Sequence, residues 1–275
     1  MAIAKVFARL EAQLAAPTKR VLTAVRPIYQ SEGRRHPRLV GTGILLRIAD
    51  RVVLVTAAHV ADLAGDDPLL FAPGPKLRPV PRELYATVPP NGKRSADKFD
   101  LAVIGLDADL GSELNTADPL QESEIRSFER PELAIGRKTR YLVMGFPRST
   151  QPRLPAGRVI NAIPLHPIVI AREESAYSAL GTAPDVHLLL EYDLADFALE
   201  RKGDLLSDPH GMSGGGVWRI DSPASDDDAR LSLVGIIIEH HTQPYHTMVA
   251  TRIGVAFDGI ARLFPELATR LRLLT

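Results

Sequence analysis

Between Gly211 and Gly216 only Met212 and Ser213 carry side chains, within a stretch that reads Ser207-Asp-Pro-His-Gly-Met-Ser-Gly-Gly-Gly-Val-Trp218. Glycine this dense lets the backbone take dihedrals that a Cβ forbids and lets another segment approach closely. A nucleophilic serine needs both. Its hydroxyl must stand clear of the chain, and nearby N–H groups must point at the oxygen that turns negative during acyl transfer. The N–H groups of Gly211 and Ser213 are the candidates for that oxyanion hole. Gly/Ser runs also make ordinary turns, so the reading requires a base elsewhere.

The rest of the chain reads as short strands. Val40–Ile48 and Arg51–Thr56 are apolar and β-branched, and the Ala49-Asp50 link between them predicts a hairpin. The second of these runs straight into Ala57-Ala58-His59-Val60. Strand character recurs at Leu22–Tyr29, Phe99–Ile104, Thr139–Phe146, Arg158–Ala171, Val186–Tyr192, Gly216–Ile220, Leu231–Ile238 and Met248–Ile253. Helical spacing is confined to the ends: residues 2–16 place Ile3, Val6, Phe7, Leu10 and Leu14 together, and 257–274 repeat the pattern around Pro265. From His59 to Tyr85 the chain, with Pro68, Pro73, Pro75, Pro79 and Pro81, reads as loop. Residues 107–133 read as a polar crossing between two halves. The expected class is all-β, a barrel or sandwich.

Composition narrows the function. Lys plus Arg and Asp plus Glu balance at 33 each, so no global field favours nucleic acid or an anionic membrane. Aromatic residues make up 5%, too few for a base-stacking platform. Without cysteine there is no disulfide, thiolate chemistry or cysteine-bound zinc. Lys5, Arg9 and Glu11 interrupt the apolar N-terminus, unlike a signal peptide. No stretch approaches the roughly 18 uncharged apolar residues of a membrane span. The expectation is a cytoplasmic protein.

A serine hydroxyl becomes a useful nucleophile when an imidazole takes its proton and a carboxylate fixes that imidazole's tautomer. His59 at the end of one core strand, Asp100 at the start of another and Ser213 in the glycine turn supply the set. Asp97 and Asp107 are alternatives to Asp100, but Asp100 alone opens an apolar strand. Thr56-Ala-Ala-His59, Phe99-Asp-Leu-Ala102 and Gly211-Met-Ser-Gly-Gly215 together resemble the three motifs of the trypsin/chymotrypsin-like serine proteases, in that clan's order of His, Asp, Ser. Val40-Gly-Thr-Gly and Leu233-Val-Gly-Ile-Ile-Ile resemble the flanking strands, and the likeness extends over roughly residues 22–265. Having no cysteine, the chain resembles the compact trypsin-like peptidase domains of bacterial intracellular proteins.

The resemblance implies two six-stranded antiparallel β-barrels with short terminal helices: a helical extension over 1–20, a first barrel with His59 and Asp100 over 21–125, and a second with Ser213 and the C-terminal helix over 126–275. It implies a serine endopeptidase acting on a protein or peptide through an acyl-enzyme, with no cofactor. The alternative is a catalytically silent or partner-activated fold that docks peptides. The substrate pocket would be formed by Ser207, Asp208, Ile238, Glu239, His240 and Met248. Met212 departs from the family's Asp or Asn before the serine, and its side chain is expected to face away from the chemistry. His210 reads as a surface loop residue. His240, His241 and His246 beside Glu239 do not make a metal site, because adjacent strand residues face opposite ways. A regulatory protein partner is expected to dock on the N-terminal helix. Neither nucleic acid nor membrane is expected as a partner.

Overall fold

Runs of Val, Ile and Leu build thirteen strands among the residues that the computed structural model describes, namely 2–31, 37–65, 67–73, 76–115, 118–127, 139–148, 164, 168–192, 210–221, 229–241 and 246–274. Seven form a first sheet: β1 (Val25–Gln30), β2 (Arg38–Ile48), β3 (Arg51–Ala57), β4 (Leu69–Phe71), β5 (Arg78–Pro79), β6 (Leu84–Ala86) and β7 (Leu101–Gly105). Their order is β5-β4-β1-β2-β3-β7-β6, antiparallel throughout. The β2–β3 hairpin turns at Ala49-Asp50 as its sequence predicts, with Ala49 at φ 53°.

Six more close a second barrel: β8 (Arg140–Met144), β9 (Ile168–Ala171), β10 (His187–Glu191), β11 (Gly216–Asp221), β12 (Arg230–His241) and β13 (Thr247–Arg252). Their order is β10-β13-β12-β11-β8-β9, and Leu190 opposite Ala171 completes the ring. Two six-stranded barrels were expected; only this one closes. The first sheet has seven strands and stays open between β5 and β6. The physical reason lies in the proline-rich stretch that reads as loop. β5 is two residues long, Pro79 has no N–H to donate, and Pro81 follows before β6 begins.

Strands β3 and β7 are buried on both faces. The helix Ile253–Leu263 packs on β7 and β6, with Gly259 against Tyr85 and Val103. Past that helix the chain breaks at Pro265, as its sequence predicts, and resumes as Ala268–Arg272.

The segment 118–127 joins the two sheets. Leu120 bridges to Leu46 in β2, and Ile125 bridges to Leu233 in β12. Arg26 pairs with Asp118 at 2.9 Å and Arg20 with Glu124 at 2.6 Å, which ties the segment to the chain before it. The N-terminal helix runs from Ala2 to Leu22, longer than the 2–16 expected, and passes through Pro17. Proline leaves the carbonyl four residues back without its helical donor. That carbonyl belongs to Gln13, and the N–H of Ala229 donates to it at 3.1 Å, so the second barrel fills the gap in the helix.

Candidate active site

His59 sits on the single helical turn Ala58–Ala61 that follows β3 directly. Asp100 precedes β7, the strand that pairs with β3 from Ala57↔Leu101 onward. Register therefore brings the two residues together. The Ala58 N–H donates to the Asp100 carbonyl at 2.9 Å, and the His59 N–H donates to Asp100 Oδ1 at 2.8 Å. The ring Nδ1–H of His59 donates to Asp100 Oδ2 at 2.6 Å. A carboxylate has no proton to give, so this bond places the hydrogen on Nδ1 and leaves the Nε2 lone pair free to accept. Asp100 holds φ at 40°, a left-handed value that few side chains other than Asp and Asn tolerate. Its side chain is 11% exposed against 38% for His59, so the carboxylate is sheltered while the imidazole reaches solvent.

Ser213 lies in the turn before β11, with Gly211 at φ 97° and Gly214 at φ 84°. A Cβ on Gly214 would stand 1.9 Å from the Thr42 carbonyl oxygen, and one on Gly211 would stand 2.6 Å from that of Phe146. Both positions require glycine for conformation and for space. Met212 is 1% exposed in the core of the second barrel, away from the serine's cavity. The His210 carbonyl accepts from the Arg148 N–H at 2.6 Å. In a planar trans peptide C=O and N–H point opposite ways, so the Gly211 N–H faces away from Arg148. Among the described residues, neither the Gly211 nor the Ser213 N–H is engaged in a backbone hydrogen bond.

A cavity of about 390 Å³ is lined by His59, Asp100 and Ser213 together, and by His210, Ile238, Glu239 and His240. Three elements from two sheets thus converge on one opening. No hydrogen bond joins Ser213 Oγ to His59 among the described residues. His210 and His240 meet edge to face across the opening, ring centroids 5.3 Å apart. Of the expected pocket residues, Ile238, Glu239 and His240 line the cavity. Met248 is fully buried opposite His240 in the β12–β13 register and is not part of the lining. Ser207 and Asp208 lie outside the described residues. A larger cavity, about 700 Å³, opens near the gap in the first sheet between Leu69, Val80 and Leu84 and holds none of these groups.

Further residues that sequence reasoning did not single out shape the site. Thr42 of β2 is fully buried. Its N–H donates to the Ser213 carbonyl and its Oγ1 to the Gly211 carbonyl, each at 2.8 Å. The same Oγ1 accepts from the Phe146 N–H at 3.0 Å. Two groups from the second barrel hold the backbone just before Asp100. His187 Nε2–H donates to the Lys98 carbonyl at 2.6 Å, and Thr251 Oγ1 to that of Phe99 at 2.7 Å. The only sequence sign of Thr42 is its place between Gly41 and Gly43; His187 and Thr251 give none.

No family model and no curated protein matches the chain. Among solved structures it is similar to the serine endoprotease from Yersinia pestis, with a TM-score of 0.53 and 16% identity, over 91% of this chain and 66% of that one. The fold is shared with a serine endoprotease. A thermostable serine protease AL20 from an extremophilic microorganism aligns over 90% of this chain and 97% of its own, with a TM-score of 0.49 and 12% identity. At 16% identity the likeness to the Yersinia protein speaks for the fold alone, and the chain spans just under two thirds of that protein's length.

Proposed function

We propose that the protein is a serine endopeptidase of the trypsin/chymotrypsin-like kind, with Ser213 as nucleophile. The observation that carries this reading is the shared cavity: a serine and a carboxylate-bound imidazole with a free Nε2 open onto the same space. Ser213 Oγ adds to the scissile carbonyl carbon while His59 Nε2 takes its proton. The oxygen turns negative, and the N–H groups of Gly211 and Ser213 stabilise it. The carbon–nitrogen bond then breaks, His59 returns the proton to the leaving amine, and an acyl-enzyme remains. Water, activated by the same imidazole, releases the acid and restores Ser213. Asp100 holds the ring in the Nδ1–H tautomer and stabilises its charged form.

A second reading follows from the missing Ser213–His59 hydrogen bond: a silent or partner-activated fold that docks peptides, with the regulatory partner on the N-terminal helix. Labelling with a fluorophosphonate probe separates the two. The endopeptidase reading expects covalent labelling that disappears in Ser213→Ala. An unlabelled wild-type protein, alone and with candidate partners, would remove it.

A further inference from the structure

Three residues before Asp100 lies a second, deeper carboxylate. The side chain of Asp97 is 2% exposed and has no part in the proton transfers above. Its Oδ1 accepts from the Phe99 N–H at 3.0 Å. Its Oδ2 accepts from Thr87 Oγ1 and from Arg94 Nη1, both at 2.5 Å. Thr87 Oγ1 in turn accepts from the Leu101 N–H at 3.0 Å. The backbone is therefore gripped on both sides of Asp100, the one residue of this turn at positive φ. Left-handed backbone at a side-chain-bearing residue persists when its surroundings impose it; Asp97 and Thr87 are part of those surroundings, beside His187 and Thr251.

Arg94 extends the grip to the imidazole. Its Nε and Nη2 donate to the two carboxylate oxygens of Asp62, at 2.7 and 3.0 Å, while Nη1 reaches Asp97 and the Thr87 carbonyl. Asp62 caps the helical turn that carries His59, and its N–H donates to the Ala58 carbonyl. One guanidinium thus spans from three residues after His59 to three residues before Asp100. Fork geometry of this kind fixes direction as well as distance. Arg94 and Asp97 both face the cavity, but the contacts of Arg94 to Asp62, Asp97 and Thr87 point it into the wall rather than toward an occupant.

We propose that Asp97 and Arg94 are positioning residues that set the relative placement of His59 and Asp100. They touch neither substrate nor reacting atoms. The inference deepens the endopeptidase reading and rests on it for its kinetic consequence, while its structural consequence stands alone.

The test uses full-length protein with two readouts. Imidazole nitrogen NMR shifts report the His59 tautomer directly, with Asp100→Asn as the control in which the Nδ1–H form is lost. Fluorophosphonate labelling rate reports the serine. Asp97→Asn keeps the shape and removes the acceptor at one oxygen. It is expected to move His59 out of the pure Nδ1–H tautomer and to slow labelling about 100-fold, the effect of an ångström-scale misplacement. Arg94→Lys should recover part of what Arg94→Ala loses. A folded Asp97→Asn with the wild-type tautomer and labelling rate would overturn the proposal. Should Asp97→Asn not fold, Arg94→Ala carries the same expectation and the same overturning result. A wild-type protein that shows the Nδ1–H tautomer yet never labels would refute the nucleophile, not the clamp, which the tautomer still tests.

Discussion

The backbone N–H of Thr42, in the first sheet, donates to the carbonyl of Ser213, in the turn that opens the second barrel, at 2.8 Å. With Thr42 Oγ1 on Gly211 and the Thr56 hydroxyl on the Thr42 carbonyl, one buried residue connects the nucleophile turn to the strand that leads to His59. The two halves of the candidate site are therefore held in register by β2 itself.

Thr42→Val keeps the shape and deletes the hydroxyl, which leaves the Gly211 carbonyl and Phe146 N–H short of a partner in a buried place. Each such group costs about 1–3 kcal/mol. Urea unfolding should show a loss in that range or somewhat above it, and fluorophosphonate labelling should slow because the Gly211 peptide is no longer anchored.

Gly214→Ala should be among the most damaging single substitutions in the chain. Its Cβ would enter the Thr42 carbonyl at 1.9 Å, on backbone at φ 84°. A loss of more than about 4 kcal/mol, or failure to fold, is expected. Gly111, in the Ala108–Glu113 helix, has open space around its missing Cβ. Gly111→Ala should instead stabilise by about 0.5–1 kcal/mol, measurable in the same unfolding series.

His187→Phe removes the donor that the second barrel places on the Lys98 carbonyl, from a residue only 2% exposed. A loss of about 1–3 kcal/mol is expected. Backbone hydrogen exchange should rise selectively over residues 97–100, and a uniform rise across the chain would contradict the assigned role.

Acid should weaken the fold partly through Asp97. Burial pushes this carboxyl upward, but the hydrogen bonds from Thr87, Phe99 and Arg94 outweigh it, so the group sits below its ordinary 3.8. A carboxyl depressed in the folded state adds stability above its unfolded value and loses it as pH falls through the folded one. Glu122, held down by Arg270, acts in the same sense. Unfolding midpoints followed from about pH 5 to about pH 2 should fall steeply for the wild type and less steeply for Asp97→Asn.

The sequence showed His59, Asp100 and Ser213 because each sits in a local pattern: a strand running into histidine, an acid opening a strand, a serine among glycines. The β2–β3 hairpin was equally legible from two apolar, β-branched runs joined by the short Ala49-Asp50 link. Strands β4, β5 and β6 were not, being two or three residues long and scattered through prolines. Nor were the supports of the site. Thr42 meets Gly211 across 169 residues and His187 meets Lys98 across 89, and no local pattern records such pairings. Asp97 was visible only as a rival for the role of Asp100; it turns out to hold the same turn in place.

The open first sheet exposes two edges that another chain could adopt as a template for pairing, a common route to aggregation. One of them, β5, offers two residues, and Pro79 contributes no N–H to an incoming strand. At the other edge, β6 is three residues long and Pro81 lies just ahead of it. The prolines that keep this barrel from closing on itself also keep it from being continued by a neighbour, so the gap is a terminus for hydrogen bonding in both senses.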